Sequence, residues 1–298
     1  MSEPAAASSA APVRLRTVVC TCGGLYGALV LRRLRACAEL EICAVVRSTR
    51  VLDARFCFLR GAIAQIRRSG IGYALYLWCA TTLSDWLCAL GGIGAVPMRT
   101  VTPGLPVLTT RNINDAEGLR FLAACAPDLL VSAFFNQRLH PTALALPTRG
   151  CLNIHPSLLP EAKGVDPVFQ ALLHDLPQIG VTVHFMSAGF DEGRIVAQRS
   201  IERRTDSSVF ATTALLFREG AEFLAAAIDS IARGATGTPQ SGAGSYQSWP
   251  TRQEVRMLRA RGGALLRFSD LARLVAKQLP RGSEARVEPL GKATTSTS

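Results

Sequence analysis

The stretch from residue 15 to 46 puts the tightest limit on what this chain can fold into. Residues 15–22 (LRTVVCTC) form a short apolar run rich in β-branched side chains. Gly23-Gly24-Leu25-Tyr26-Gly27 comes next, apolar residues then recur at helical spacing to about Leu34, and residues 41–46 (EICAVV) form a second buried run. Strand, glycine turn, helix and strand at this spacing call for a crossover helix between parallel strands, hence a doubly wound, mostly parallel α/β sheet with helices on both faces. The turn reads GGxxG rather than GxGxxG. That pattern fits tight helix–sheet packing at least as well as a phosphate cradle, although amides at a helix start can face an anion.

The alternation resumes further on. Residues 106–109, 128–135, 150–155, 179–187 and 195–201 read as strands. Residues 114–126 (capped by Asn114 or Asp115), 141–146, 165–174 and 209–231 read as helices. Between the two blocks lies an unusual insert, residues 55–98. It holds Arg60, Arg67 and Arg68, then IGYALYLW at 71–78, then Trp86-Leu87. Its uncharged run, 70–84, stops at Asp85, short of the roughly 18–20 apolar residues of a membrane span. It reads as one or two amphipathic helices serving core packing or a homodimer face, a lid over substrate, or a peripheral membrane patch. After Gly234 come a Gly/Ser/Thr/Pro linker, a basic helical segment at 252–261, and residues 265–279 as strand then helix. The expected organisation is a disordered leader 1–12, a main domain 13–234, a small extension 235–280 and a disordered tail 281–298.

The net charge of +11 comes almost wholly from arginine, since lysine stands only at positions 163, 277 and 292. Such a balance suits phosphates, tRNA or a membrane surface, but it is equally a compositional habit and decides nothing alone. Nine cysteines are scattered singly, without metal-ligand spacing and in odd number, as in a reducing cytoplasm; no metal site and no signal peptide are read.

The chemistry concentrates in two segments. Asn153-Ile154-His155-Pro156-Ser157-Leu158-Leu159-Pro160 ends a strand, so Asn153 and His155, two apart, project to one face at the carboxyl edge where open α/β sheets bind ligands. The prolines keep the ensuing loop extended. About thirty residues later stand Gly180-Val181-Thr182-Val183-His184-Phe185 and Gly189-Phe190-Asp191-Glu192-Gly193. There Asp191, in a glycine-flanked turn, can reach a neighbouring strand end and stabilise a charged imidazole.

In these segments the chain resembles the folate-dependent formyltransferases, which share N-x-H-P/A-S-L-L-P and a later G-V/T-x-V-H-F…D-x-G. The resemblance is clear over 128–198 and looser over 15–46. It implies a formyl transfer from 10-formyltetrahydrofolate to a primary amine in the cytoplasm. In that reading Asn153 stabilises the tetrahedral oxyanion, His155 adds electrostatic help and moves the amine proton, and Asp191 orients His155. Phe135, Gln137, Leu139, Phe190 and Glu192 would meet the folate, and Gly23, Gly24, Ser157, Lys163 and Gly164 the acceptor. Thr182 and His184 would support the trio from behind. Lys163-Gly164 followed by Val165-Asp166-Pro167 looks closer to the members acting on sugars or tRNA than to the purine-pathway enzyme, and the acceptor expected is a small phosphorylated or nucleotide-sugar amine. Methionyl-tRNA is the alternative acceptor, although the stretch after Gly234 is short for a tRNA-binding barrel. A non-catalytic partner- or membrane-binding module is the alternative of another class. A dinucleotide oxidoreductase fits poorly, for want of the glycine pattern and an acidic ribose ligand.

Overall fold

The computed structural model describes residues 14–91, 97–204, 206–242 and 244–275. The leader expected at 1–12 and the tail at 281–298 lie outside them. The apolar runs become β1 (Leu15–Thr21), β2 (Leu40–Ser48), β3 (Val107–Thr110), β4 (Leu129–Ala133), β5 (Cys151–His155), β7 (Gln178–Phe185) and β8 (Ile195–Glu202), and two short strands that the sequence does not announce are β6 (Ala162–Gly164) and β9 (Ser245–Gln247). Seven of them form one sheet in the order β3-β2-β1-β4-β5-β7-β8, and β6 pairs with β9 apart from it. The mostly parallel, doubly wound fold expected from the sequence is present. Only β7 runs against its neighbours, β5 and β8.

Alternation along the strands explains the two covered faces. Val19, Val45 and Val131 point into one apolar cluster with the helices Gly24–Arg35 and Val209–Ala232. Their neighbours Val18, Cys20, Ala44, Val46 and Leu130 point into a second, under the helix Ala116–Cys125. Asp115 caps that last helix by accepting from Gly118 N at 2.8 Å. The helix Val209–Ala232 starts where its free N–H groups are met: Val209 and Phe210 donate to the carbonyls of Ala264 and Leu265. Residues 264–265 thus serve a helix end and form no strand. Among the described residues the segment instead holds the helix Phe268–Val275.

The insert is more helical and more buried than its sequence suggests. It runs as Phe58–Ser69, Ile71–Trp78 and Ser84–Gly91, joined through Gly70 and a wide π-type turn, Cys79–Leu83. Gly70, at φ +86°, turns the chain between the first two helices. Tyr73 and Tyr76 are buried in the main core. The Tyr73 hydroxyl donates to Asp166 Oδ2 at 2.7 Å, and Asp166 Oδ1 caps the helix Pro167–Leu173 by accepting from Phe169 N at 3.1 Å.

Candidate active site

A cavity of about 760 Å³ straddles the carboxyl edge of β1, β4 and β5, the place where the strand order reverses. Asn153, His155, His184 and Asp191 all line it. Asn153 and His155 face it from β5, and His184 lies opposite Asn153 on β7. Asp191 sits in the connection between β7 and β8 and reaches the end of β5. Its Oδ1 is 3.7 Å from both His155 Nδ1 and His184 Nε2, and its Oδ2 accepts from Gly164 N at 3.0 Å. The turn holds Asp191 at φ +53°, a left-handed conformation that costs a non-glycine residue energy and is offset here by these contacts. Gln240 Nε2 also ties down the carbonyls of Asp191 and Gly193, at 2.8 and 2.7 Å.

The partners assign the protons. His184 Nδ1 meets the Phe185 carbonyl at 2.9 Å, so it carries hydrogen, and Nε2 is left to accept from Asn153 Nδ2 at 3.2 Å. Burial first, and the nearby His155 second, push the His184 imidazole down to about 4, so it stays neutral at ordinary pH. A neutral His184 therefore fixes which way the Asn153 amide points. One amide hydrogen is taken by His184 and the other has no protein partner among the described residues. His155 Nε2 donates to the Ala162 carbonyl at 3.0 Å, so the atom left to gain a proton is Nδ1, on the Asp191 side. Thr182, fully buried, braces the 156–160 loop. Its hydroxyl donates to Ser157 O at 2.6 Å and accepts from Leu159 N and Gln198 Nε2.

The structure separates the residues singled out in the sequence. Phe135, Gln137, Leu139, Phe190 and Gly164 line the cavity with the trio. Gln137 is buried and its side chain is spent on Ser48, Thr110 and Ile113, which pins the 134–139 stretch. Arg138 lies 5.2 Å over the Phe190 ring, and the Tyr246 ring packs beside Phe190 at 5.4 Å. Gly23, Gly24, Ser157, Lys163 and Glu192 are not part of the lining. For Gly24 the reason is steric: a Cβ there would stand 2.0 Å from the Ala80 carbonyl, because the insert roofs the turn. The glycine turn thus serves close packing. Lys163 Nζ turns instead to Glu192, 3.8 Å away at the surface. Ser157 Oγ donates to the Ala162 carbonyl, beside His155 Nε2.

Sequence reasoning allowed the insert as a lid over substrate without naming its site residues, and it missed one corner of the cavity. The insert supplies Phe58, Leu77 and Trp78, and the segment after Gly234 supplies Tyr246 and Trp249. The available signal was Tyr246 itself, a large aromatic alone in a Gly/Ser stretch. The β6–β9 pairing that seats it, Lys163 opposite Tyr246, is too short to leave a periodic pattern.

An amide donor, a paired carboxylate and imidazole, and a crevice at the switch point of a doubly wound sheet define an α/β site suited to group transfer at a carbonyl carbon. Residues 94–227 match the model of the formyl transferase family. It is 41% identical over 137 residues to a methionyl-tRNA formyltransferase of Roseiflexus sp. (strain RS-1), covering 46% of this chain and 42% of that protein. It is also 41% identical over 107 residues to a methionyl-tRNA formyltransferase of Thermotoga neapolitana, covering 35% and 34%. The chain spans about half the length of the curated relatives it matches, or less. Among solved structures, a glycinamide ribonucleotide transformylase of Symbiobacterium toebii superposes with a TM-score of 0.51 at 21% identity, over 77% of this chain and 95% of that one. A sugar N-formyltransferase of a Shewanella species gives 0.51 at 13%, over 78% and 76%. At these identities the superpositions speak for the fold.

Proposed function

We infer that this protein transfers a formyl group from 10-formyltetrahydrofolate to a primary amine. The observation that carries the reading is the Asn153 amide, held by neutral His184 with one hydrogen left over for the cavity. Asn153 Nδ2 donates that hydrogen to the formyl oxygen as it becomes an oxyanion, where a fixed donor is worth most. His155 Nδ1 takes the proton that the attacking amine sheds, and Asp191 Oδ1, on that side of the ring, stabilises the resulting imidazolium. The new carbon–nitrogen bond forms first and gives the tetrahedral oxyanion; its collapse breaks the bond from the formyl carbon to the folate nitrogen, which leaves with the proton that His155 returns. Phe135 and Phe190 on the cavity lining, with Arg138 over the Phe190 ring, suit a flat heteroaromatic ring with an acidic tail.

The acceptor is a small amine. Roofing of Gly24 by the insert removes the glycine turn as a phosphate cradle, so a phosphorylated or nucleotide-sugar acceptor would place its phosphate against Arg47 and Arg50, which also line the cavity. Methionyl-tRNA is the second reading, favoured by the activity of the Roseiflexus and Thermotoga relatives. The test is release of tetrahydrofolate by purified protein with a panel of amino sugars, phosphorylated amines and charged initiator tRNA. Asn153→Ala should lower turnover by about 10²–10³-fold while folate binding persists. Folate turnover that is equal with and without Asn153 would overturn the assignment. A tRNA acceptor would show a rate falling steeply with salt.

A further inference from the structure

The helices of the insert keep an apolar face on the outside. In Ile71–Trp78 the residues Ile71, Leu75 and Trp78 lie at positions i, i+4 and i+7, one stripe, and are 76%, 56% and 40% exposed, while Tyr73 and Tyr76 take the inward side. In Phe58–Ser69 the exposed residues include Leu59 and Ile63, interleaved with Arg60 and Arg67. A third helix, Arg252–Ala260, packs on Phe58–Ser69 through Arg252, which donates to the Ile66 carbonyl, and it presents exposed Arg256 and Arg259 alongside. Between Asp53 and Asp85 the chain has no acidic residue. Asp85 itself is engaged by Arg47 and by Met98 N. Phe58 and Trp78 belong both to this face and to the cavity wall, so the cavity opens onto it.

Large exposed apolar side chains set among arginines are the arrangement of a helix that lies in a bilayer interface, apolar groups among acyl chains and cations at anionic headgroups. A contiguous patch of this kind needs a cover. Two copies of the chain meeting through the same face would bring both sets of arginines into one interface, which like-charge repulsion opposes. A nucleic acid would use the arginines but leave Leu59, Ile71 and Leu75 without a partner. We propose that the insert docks the protein on an anionic phospholipid surface, with the mouth of the cavity at the headgroup layer. Docking needs only the outer face, so it stands or falls independently of the formyl-transfer reading.

The experiment is cosedimentation of the full chain with vesicles of phosphatidylcholine alone and with added phosphatidylglycerol, at low and high salt. Binding is expected on the anionic vesicles, weakening with salt. Leu59→Ser with Leu75→Ser should lower the partition about tenfold or more. Arg60→Glu with Arg67→Glu should lower it on anionic vesicles only. Asn153→Ala should bind like the parent. The fluorescence of Trp78 and Trp86, read in a Trp249→Phe chain that removes the third tryptophan, should shift to the blue and be quenched by brominated lipid. Absence of binding at low salt, or no fluorescence shift, overturns the proposal. So does a concentration-dependent dimer that the Leu59/Leu75 variant dissociates while the parent ignores vesicles.

Discussion

Replacing Tyr73 by phenylalanine removes a single oxygen from a buried pair that joins positions 93 residues apart. Tyr73 is fully buried and Asp166 nearly so, at 9% exposure. Burial pushes the Asp166 carboxyl above its ordinary range, and the Tyr73 hydroxyl and Phe169 N–H each pull it part of the way back. Without the hydroxyl the carboxylate keeps only its capping bond to Phe169 N. A hydrogen bond to a charged acceptor contributes about 1.5–3 kcal/mol, so Tyr73→Phe should cost that much. For a chain of this size the melting temperature should fall by roughly 3–12 °C. The dependence on pH has a definite sign. A raised folded-state value means the native protein binds the proton more tightly than the unfolded chain, so stability is fullest below the unfolded value and falls as pH rises through the folded one. The variant raises that value further, so its deficit should be largest at neutral pH and shrink as acid protonates Asp166. Urea unfolding followed by circular dichroism measures both, and a double-mutant cycle with Asp166→Asn isolates the pair. A loss below about 0.5 kcal/mol, or one that does not change with pH, would refute the idea that this hydrogen bond anchors the insert.

Two other elements make equally definite outcomes measurable. His184, lowered from 6.5 to about 4 by burial, resists the proton that the unfolded chain accepts, so stability should decline as pH falls from 6.5 towards 4, by up to about 3 kcal/mol from this group. His184→Gln should flatten that part of the stability–pH curve, as read by chemical denaturation. Gly24→Ala should cost more than about 3 kcal/mol or yield no folded protein, since it combines φ +62° with a Cβ 2.0 Å from a carbonyl oxygen. Gly104→Ala, at φ +76° with nothing within 4 Å, should cost only about 1–2 kcal/mol, and thermal melts of the pair compare them directly.

What could be read in the sequence was what repeats. Short apolar runs rich in β-branched residues placed the strands, and the i, i+2 spacing put Asn153 and His155 on one face. A cap at Asn114 or Asp115 was legible from the apolar period that follows, and the structure selects Asp115. Strand direction was harder, because a hydrophobic pattern reads the same both ways. The clue lay in the connection: residues 186–194 are too few for the crossover that parallel strands require, so β7 and β8 had to run antiparallel. The depth of the insert was hidden for a related reason. Its helices are apolar on two sides, and only the fold decides that Tyr73 and Tyr76 turn inward while Ile71 and Leu75 turn out. The reach of Asp191 to a neighbouring strand end was legible, but not its anchors Gly164 and Gln240, which bind the turn from segments far away in the sequence.

The pairing of β6 with β9 has a consequence for the birth of the protein on the ribosome. Gly164 accepts no side chain because Gln247 lies against it, and Tyr246 closes the corner beside Phe190. A nascent chain that has emerged only as far as Gly234 already holds every member of the trio, yet it lacks the strand that seats the floor of the pocket and the glutamine that clamps the Asp191 turn. Vectorial synthesis therefore delivers the reactive groups early and their enclosure last. Until Trp249 clears the exit, the sheet can be complete while the chamber stands open to water, so the cavity is enclosed in one late step.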